Sequence, residues 1–215
     1  MKEMAQSADY SLRILWSLAR WLEDHKGKAA LAAIATEAGV SAEDFDGSTR
    51  WVSHAQLELI LRRARELVDS DEAFKDVFAY RFKESYGAFR YMIWAVSFQK
   101  TCEMAAKLSE SVMCHVAKFE ILKSERNAFR FRYRSSRPET RLICLSRQVP
   151  WTIGPTVWGL PPAQLTEHSC IANGDECCEY DVRWFERSRI LPVAAGALVG
   201  GILAAALSFF SIRVF

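Results

Sequence analysis

From Phe129 to Arg134 the chain alternates without exception, with Phe129, Phe131 and Tyr133 on one side and Arg130, Arg132 and Arg134 on the other. A period of two is that of a half-buried strand, here with an aromatic inner face and a cationic outer one. It returns from an apolar segment that starts at Phe119, through a turn at Ser124 to Asn127, which predicts a hairpin over Phe119–Pro138. The strand ends in Tyr133-x-Ser135-x-Arg137. Alternate side chains share a face of a strand, and arginine grips carboxylate or phosphate with a two-pronged fork, so these three can converge on one anionic group. A strand end with a serine turn and a surface arginine is the plainer alternative. The arginine row is a solvated sheet face or, in the other reading, rests on anionic lipid.

Elsewhere the period is helical. Leu12, Leu15, Trp16, Ala19 and Leu22 predict an amphipathic helix over Ser7–Asp24, and an alanine-rich helix closed by Gly39 follows from Gly27. Leu31–Phe45 has the form of a helix-turn-helix, but Glu43, Asp44 and Asp46 would aim carboxylates at phosphates, which argues against nucleic acid. Ser53 and Gln56 form a capping box that opens a helix from His54 to Val68, and another helix runs from Asp71 to Phe82. Phe89–Phe98 is apolar almost all round, so it is predicted to be buried on several sides or to line a cavity. The helix Phe98–Leu108 turns Cys102, Ala105 and Ala106 inward. After Pro138 come a helix, a proline- and tryptophan-rich turn, and a second hairpin, Leu165–Ala172 with Glu176–Trp184, across Asn173-Gly174. The predicted class is α+β, a helical N-terminal half covering a small antiparallel sheet of two hairpins.

Ile190–Ile212 is a run of 23 residues without a charge. As a helix it would span roughly 34 Å, enough for a bilayer core, so a single transmembrane helix is predicted after a domain over residues 1–186. Arg183, Arg187 and Arg189 precede it and Arg213 follows, which predicts an inner-membrane protein with its domain in the cytoplasm. Gly196, Gly200 and Ala204 form a smooth stripe on which two such helices could pack, so a homodimer is expected. A net charge of +2 is too small to argue for nucleic acid. Six cysteines without a secretory signal at the N-terminus predict thiols in a reducing compartment.

Two of those cysteines meet across the second hairpin. A three-residue loop sets Cys170 opposite Cys178; a two-residue loop sets it opposite Cys177 and places His168 opposite Glu179. Either way two sulfurs come together, and His168 could add a nitrogen for zinc. Packing as small hydrophobes is the alternative.

In order and in residues the chain resembles the superfamily shared by heme-nitric-oxide/oxygen-binding (H-NOX) sensors and vinyl-reductase-type small-molecule-binding domains. GKAALAAIATEAGV is similar to the early helix of H-NOX domains, and Tyr133-x-Ser135-x-Arg137 to the motif that holds the heme propionates there. Cys170-x-x-x-Gly174-x-x-x-Cys178 is similar to the closing hairpin of the vinyl-reductase type. The resemblance implies a signalling domain whose ligand state reaches an output module. It also exposes a departure, because H-NOX iron hangs from a histidine on the helix before the first hairpin, and Phe98–Leu108 contains none. Cys102, Cys114 and His115 are the nearby substitutes, imidazole and thiolate both being heme ligands. A surface or core histidine is the plainer reading of His115.

The sequence therefore predicts a membrane-anchored sensory domain, not an enzyme. A small ligand would lie in an apolar pocket between 89–98 and the sheet, touched by Tyr133, Ser135, Arg137, Trp94, Phe98 and Cys102. The cofactor is left open. A heme gas or redox sensor and a dimerising adaptor on the membrane are the alternatives, and Cys114, His115, Cys170 and Cys178 are the candidate metal ligands.

Overall fold

The structure, a computed structural model, describes residues 7–46, 49–91 and 95–185. Residues 1–185 form one unit by themselves. The predicted membrane helix Ile190–Ile212, with its Gly196, Gly200 and Ala204 stripe, lies outside the described residues, as does Trp94. No helix among the described residues is long and apolar enough to cross a membrane.

The described residues begin extended where the period predicts a helix. Strand β1 (Tyr10–Ser11) and one 3-10 turn (Leu12–Leu15) precede α1 (Trp16–Lys26). Long-range partners decide this: Asp9, Ser11 and Leu12 each donate their backbone N–H at 2.9 Å, to the carbonyls of Val52, Met113 and Arg50. A ladder to distant segments has replaced the local helical bonds. Helix α2 (Lys28–Glu37) stops before Gly39, whose φ of 72° is the left-handed conformation a helix exit favours. The supposed recognition helix is a single 3-10 turn, Ala42–Phe45.

Strand β2 (Trp51–Val52) pairs with β1 and leads into α3 (His54–Arg65). The capping box forms as the sequence predicts: Ser53 Oγ accepts from the Gln56 amide at 3.3 Å and the Ser53 amide donates to Gln56 Oε1 at 2.9 Å. The Gln56 amide group also donates to the Ala38 carbonyl at 2.8 Å, tying α3 to the end of α2. Helix α4 (Asp71–Ala79) ends earlier than predicted, because Arg81 takes a left-handed φ of 50° before the short α5 (Phe82–Ser85). Of the apolar segment 89–98, residues 92–94 lie outside the described residues; its first part belongs to a 3-10 turn, Gly87–Tyr91, where Tyr91 is exposed, and α6 (Phe98–Val112) begins after Ser97 caps it.

Strands β3 (Ala117–Glu125) and β4 (Ala128–Ser135) form the first hairpin, turning at Asn127 with φ 62°. Helix α7 (Arg141–Ile153) runs through Pro150 into a 3-10 turn, so the predicted proline-rich turn is largely helical. Strands β5 (Gln164–Ser169) and β6 (Cys178–Arg183) close the sheet in the order β3-β4-β6-β5. The second hairpin is looser than a two- or three-residue turn, since residues 170–177 all lie outside the strands. The α+β class holds, with the helices over one face of this four-stranded sheet.

Phe129, Phe131 and Tyr133 face inward and are buried, as their alternation predicts. Phe98, Phe119, Phe129, Phe131, Trp151 and Trp184 pack edge to face or tilted, with centroids 4.5–6.1 Å apart. Packing is close enough that a Cβ on Gly154 would sit 2.8 Å from the Phe98 ring. This cluster fills the interval between α6 and the sheet.

The outer arginine row is not a free cationic face. Arg130 donates to both oxygens of Asp181 at 2.6 and 2.9 Å, Arg132 to Glu179 at 2.7 Å, and Arg134 lies 3.7 Å from Glu120. The bond from Arg130, helped by His168, holds the Asp181 carboxyl below the usual range. A depressed folded pKa adds stability above the unfolded carboxylate pKa of about 3.9 and loses it as pH falls through the folded value. Asp181→Asn is therefore expected to be less stable at pH 7 by under about 1 kcal/mol, a surface-pair value. In urea melts its difference from wild type should close as pH is lowered below about 4; a gap that persists unchanged in acid would assign the loss to packing.

Candidate functional site

The end of β4 was expected to gather Tyr133, Ser135 and Arg137 around an external anion. The three side chains do not converge. Tyr133 points into the core and its hydroxyl donates to Glu139 Oε1. Ser135 Oγ accepts from the Arg137 amide at 3.1 Å, a local turn bond. The Arg137 guanidinium is 46% exposed and reaches the Asp9 carboxylate at 3.8 Å. The partners of the motif are carboxylates of the chain itself.

Beneath the motif lies a buried charge pair. Arg147 Nη1 donates to Glu139 Oε2 at 2.6 Å, with the two side chains 9% and 0% exposed. The guanidinium carbon stands 3.5 Å from the Tyr133 ring centroid, a cation–π contact in a dry setting. Glu139 Oε1 also accepts from the Tyr10 hydroxyl at 3.2 Å. Burial, then the Glu139 charge, pushes the Tyr10 phenol well above its ordinary range. Burial works against the Arg147 charge, but Tyr133 and Glu139 more than offset it, and the side chain stays protonated.

The other end of the same guanidinium meets sulfur. Arg147 Nη2 donates to Cys144 Sγ at 3.3 Å and to Cys178 Sγ at 3.1 Å. Cys144 lies 3.4 Å from Cys170 and 4.0 Å from Cys178, and all three buried sulfurs are within 4.8 Å of one another. With zinc–sulfur bonds of about 2.3 Å, sulfurs in a tetrahedral site stand about 3.8 Å apart, so these spacings suit one ion held by three thiolates. The Glu167 carboxylate lies outside this group of three and reaches it only through Arg141. Arg141 Nη1 joins Glu167, at 2.8 and 2.9 Å, to Cys170 Sγ, at 3.3 Å, and Gln148 donates to the same carboxylate at 2.9 Å. The bond from Cys144 and the nearby Arg147 charge draw the Cys178 thiol down, and Cys144 goes up correspondingly.

Helix α7 is what assembles the centre. Arg141, Cys144, Arg147 and Gln148 recur at three- and four-residue steps, so one face of one helix meets the closing hairpin. Among the sequence candidates Cys170 and Cys178 belong here. His168 does not: it pairs with Asp181 at 3.0 Å on the outer face. Cys177 is only partly buried and is not among the three sulfurs. Cys144, Arg147, Glu139 and Glu167 are missing from the sequence expectations.

The heme candidates are dispersed. His115 is exposed, stacks on Trp51 at 3.7 Å and bonds to the Ala8 carbonyl. Cys114 is buried where it bridges to Tyr10, and desolvation raises its thiol to about 11. Cys102 is buried on α6 and desolvation raises it further. Together with the filled aromatic cluster and the motif bonded to Glu139 and Asp9, this does not fit a heme held in the manner the resemblance implies.

No family model matches the sequence and no curated protein does. Solved structures do. An H-NOX protein from S. oneidensis in its Fe(II)NO state is 13% identical over 82% of this chain and 99% of that one, with a TM-score of 0.60. The Fe(II) unliganded H-NOX protein from K. algicida is 12% identical, over 83% and 98% of the two chains, with a TM-score of 0.57. An oxygen-binding H-NOX domain related to soluble guanylate cyclases, in its oxygen complex, is 11% identical over 83% and 99%, with a TM-score of 0.52. The chain therefore has an H-NOX-like fold.

If the sulfurs hold an ion, its binding energy adds to folding. A strong chelator should lower the melting temperature of the wild type by several degrees, since saturation at a thousandfold the dissociation constant adds about 4 kcal/mol. Cys144→Ser should melt low from the start and show no further loss with chelator, as read by calorimetry. Equal chelator effects in both proteins would remove the sulfurs from the binding site.

Proposed function

We propose that this chain is a sensory domain of H-NOX fold, a binding domain and not a catalyst, built around a zinc centre of Cys144, Cys170 and Cys178 with Glu167 beside them. The observation that carries the proposal is the convergence of three buried sulfurs between two arginines, in the place where the closing hairpin meets α7. Three thiolates are soft ligands that favour zinc over the hard cations. The metal holds the hairpin to the helix, and the aromatic cluster beside it takes the small ligand.

Two observations support a ligand at that cluster. Phe98 is its buried α6 member, and the buried indole N–H of Trp184 has no hydrogen-bond partner among the described residues. A ligand that inserts an acceptor atom there would satisfy it. The cluster is closed around its own side chains, so binding requires a shift of the segment that leads into α6. Anchoring in the inner membrane by Ile190–Ile212, the cytoplasmic placement of the domain and pairing through the small-residue stripe complete the proposal, on the sequence pattern alone.

A second reading is a heme-based gas sensor. It is favoured by the comparisons, whose H-NOX proteins are described in unliganded iron, nitric oxide and oxygen states. The side chains favour the heme-free form. Purified from heme-replete cells, the full chain is expected to show no Soret band and to carry about one zinc per chain by elemental analysis. A Soret band that persists through purification would establish the gas-sensing reading instead.

A further inference from the structure

We infer that Arg147 is the positioning residue of the metal centre, and that through it metal occupancy and docking of the N-terminal strand are a single linked equilibrium. The inference rests on the zinc reading above and goes beyond it, since it gives the centre a route to another part of the molecule.

One guanidinium spans two sites. Its Nη2 points at the sulfurs of Cys144 and Cys178, at 3.3 and 3.1 Å, and its Nη1 at Glu139, at 2.6 Å. Glu139 uses its other oxygen to accept from Tyr10 at 3.2 Å. Tyr10 is half of β1, whose neighbours Asp9 and Leu12 bond to the backbone around β2. A continuous line of hydrogen bonds thus runs from the sulfurs to the N-terminal segment. Only a planar fork can hold both ends at once, and a lysine ammonium, a compact point charge, cannot.

Charge gives the line its direction. With a divalent ion bound, three thiolates, Glu167 and Glu139 carry five negative charges against four positive ones from the ion, Arg141 and Arg147, so Arg147 has an anionic acceptor on each side. When the ion leaves, nothing holds the Cys144 and Cys178 sulfurs at one point, and the acceptors of Nη2 lose their fixed position. Arg147 then has less reason to keep the orientation that presents Nη1 to Glu139. Loaded, the centre stiffens the Glu139–Tyr10 contact; empty, it loosens it. Linkage makes the converse hold, so disturbing the Tyr10 end must weaken metal binding.

The test is zinc affinity, by competition with a chromogenic chelator, together with amide hydrogen exchange at Asp9, Ser11 and Leu12, on the purified full chain. Arg147→Met should weaken zinc 10- to 100-fold, the usual scale for partners of metal ligands, and Arg147→Lys should not restore it. Tyr10→Phe touches none of the three clustered sulfurs and keeps the ring, so it should fold; it should still weaken zinc about threefold or more. Removing zinc should speed exchange at the three amides in wild type and not in Arg147→Met. Wild-type affinity in Tyr10→Phe, with exchange indifferent to zinc, would overturn the link while leaving the metal centre standing. A wild type that takes up no zinc would instead remove the metal reading on which the link depends.

Discussion

A guanidinium sealed from water has to be neutralised where it stands, and Arg147 is the group around which this domain is arranged. Its side chain is 9% exposed, and the Glu139 carboxylate opposite is wholly buried. A buried ion pair gains little net stability over apolar packing, yet leaving either partner alone costs about 3–5 kcal/mol. The consequence is specificity. Helix α7 can meet the sheet only in the register that brings Arg147 onto Tyr133 and Glu139, and that register also sets Cys144 against the two sulfurs of the closing hairpin.

The same constraint explains how an H-NOX-like fold can be present with its anion-gripping motif turned to other use. Tyr133 is bonded to Glu139, which neutralises Arg147, and Arg137 lies near Asp9 of the N-terminal segment. Asp9 in turn accepts from the His54 amide at 2.9 Å, at the head of α3. Carboxylates of the chain take the place of a ligand's, and side chains of Phe98, Trp151 and Trp184 take the volume. A ligand can enter only by displacing those side chains, and the open chemistry of the domain is its sulfur cluster.

The elements legible in the sequence were those whose cause is local. Alternation from Phe129 to Arg134 marks β4 because burial of one face needs nothing beyond the strand itself, and Ser53 with Gln56 marks α3 because a capping box closes within four residues. Gly39 ends α2 for the same reason. Tyr10–Ser11 was misplaced into a helix because its partners, Val52 and Cys114, are far along the chain. Cys170 and Cys178 were readable as a pair across a turn. Cys144 was not, since it comes from a helix 26 residues earlier and no repeated Cys-x-x-Cys spacing points to it. Its one signal was the helical recurrence of Arg141, Cys144 and Arg147, polar or sulfur positions on an otherwise apolar face. Arg147 and Glu139 could not be found at all without the fold, because a buried charge is recognisable only once its partner is known.

The proposed chemistry of the domain turns on three sulfurs acting together on one ion. X-ray absorption at the zinc edge of the purified chain reads this most directly. It should show three sulfur scatterers at about 2.3 Å and one oxygen at about 2.0–2.2 Å. A shell of oxygen and nitrogen alone would contradict it, and would return Cys144, Cys170 and Cys178 to the role of small apolar side chains packed beside a buried arginine.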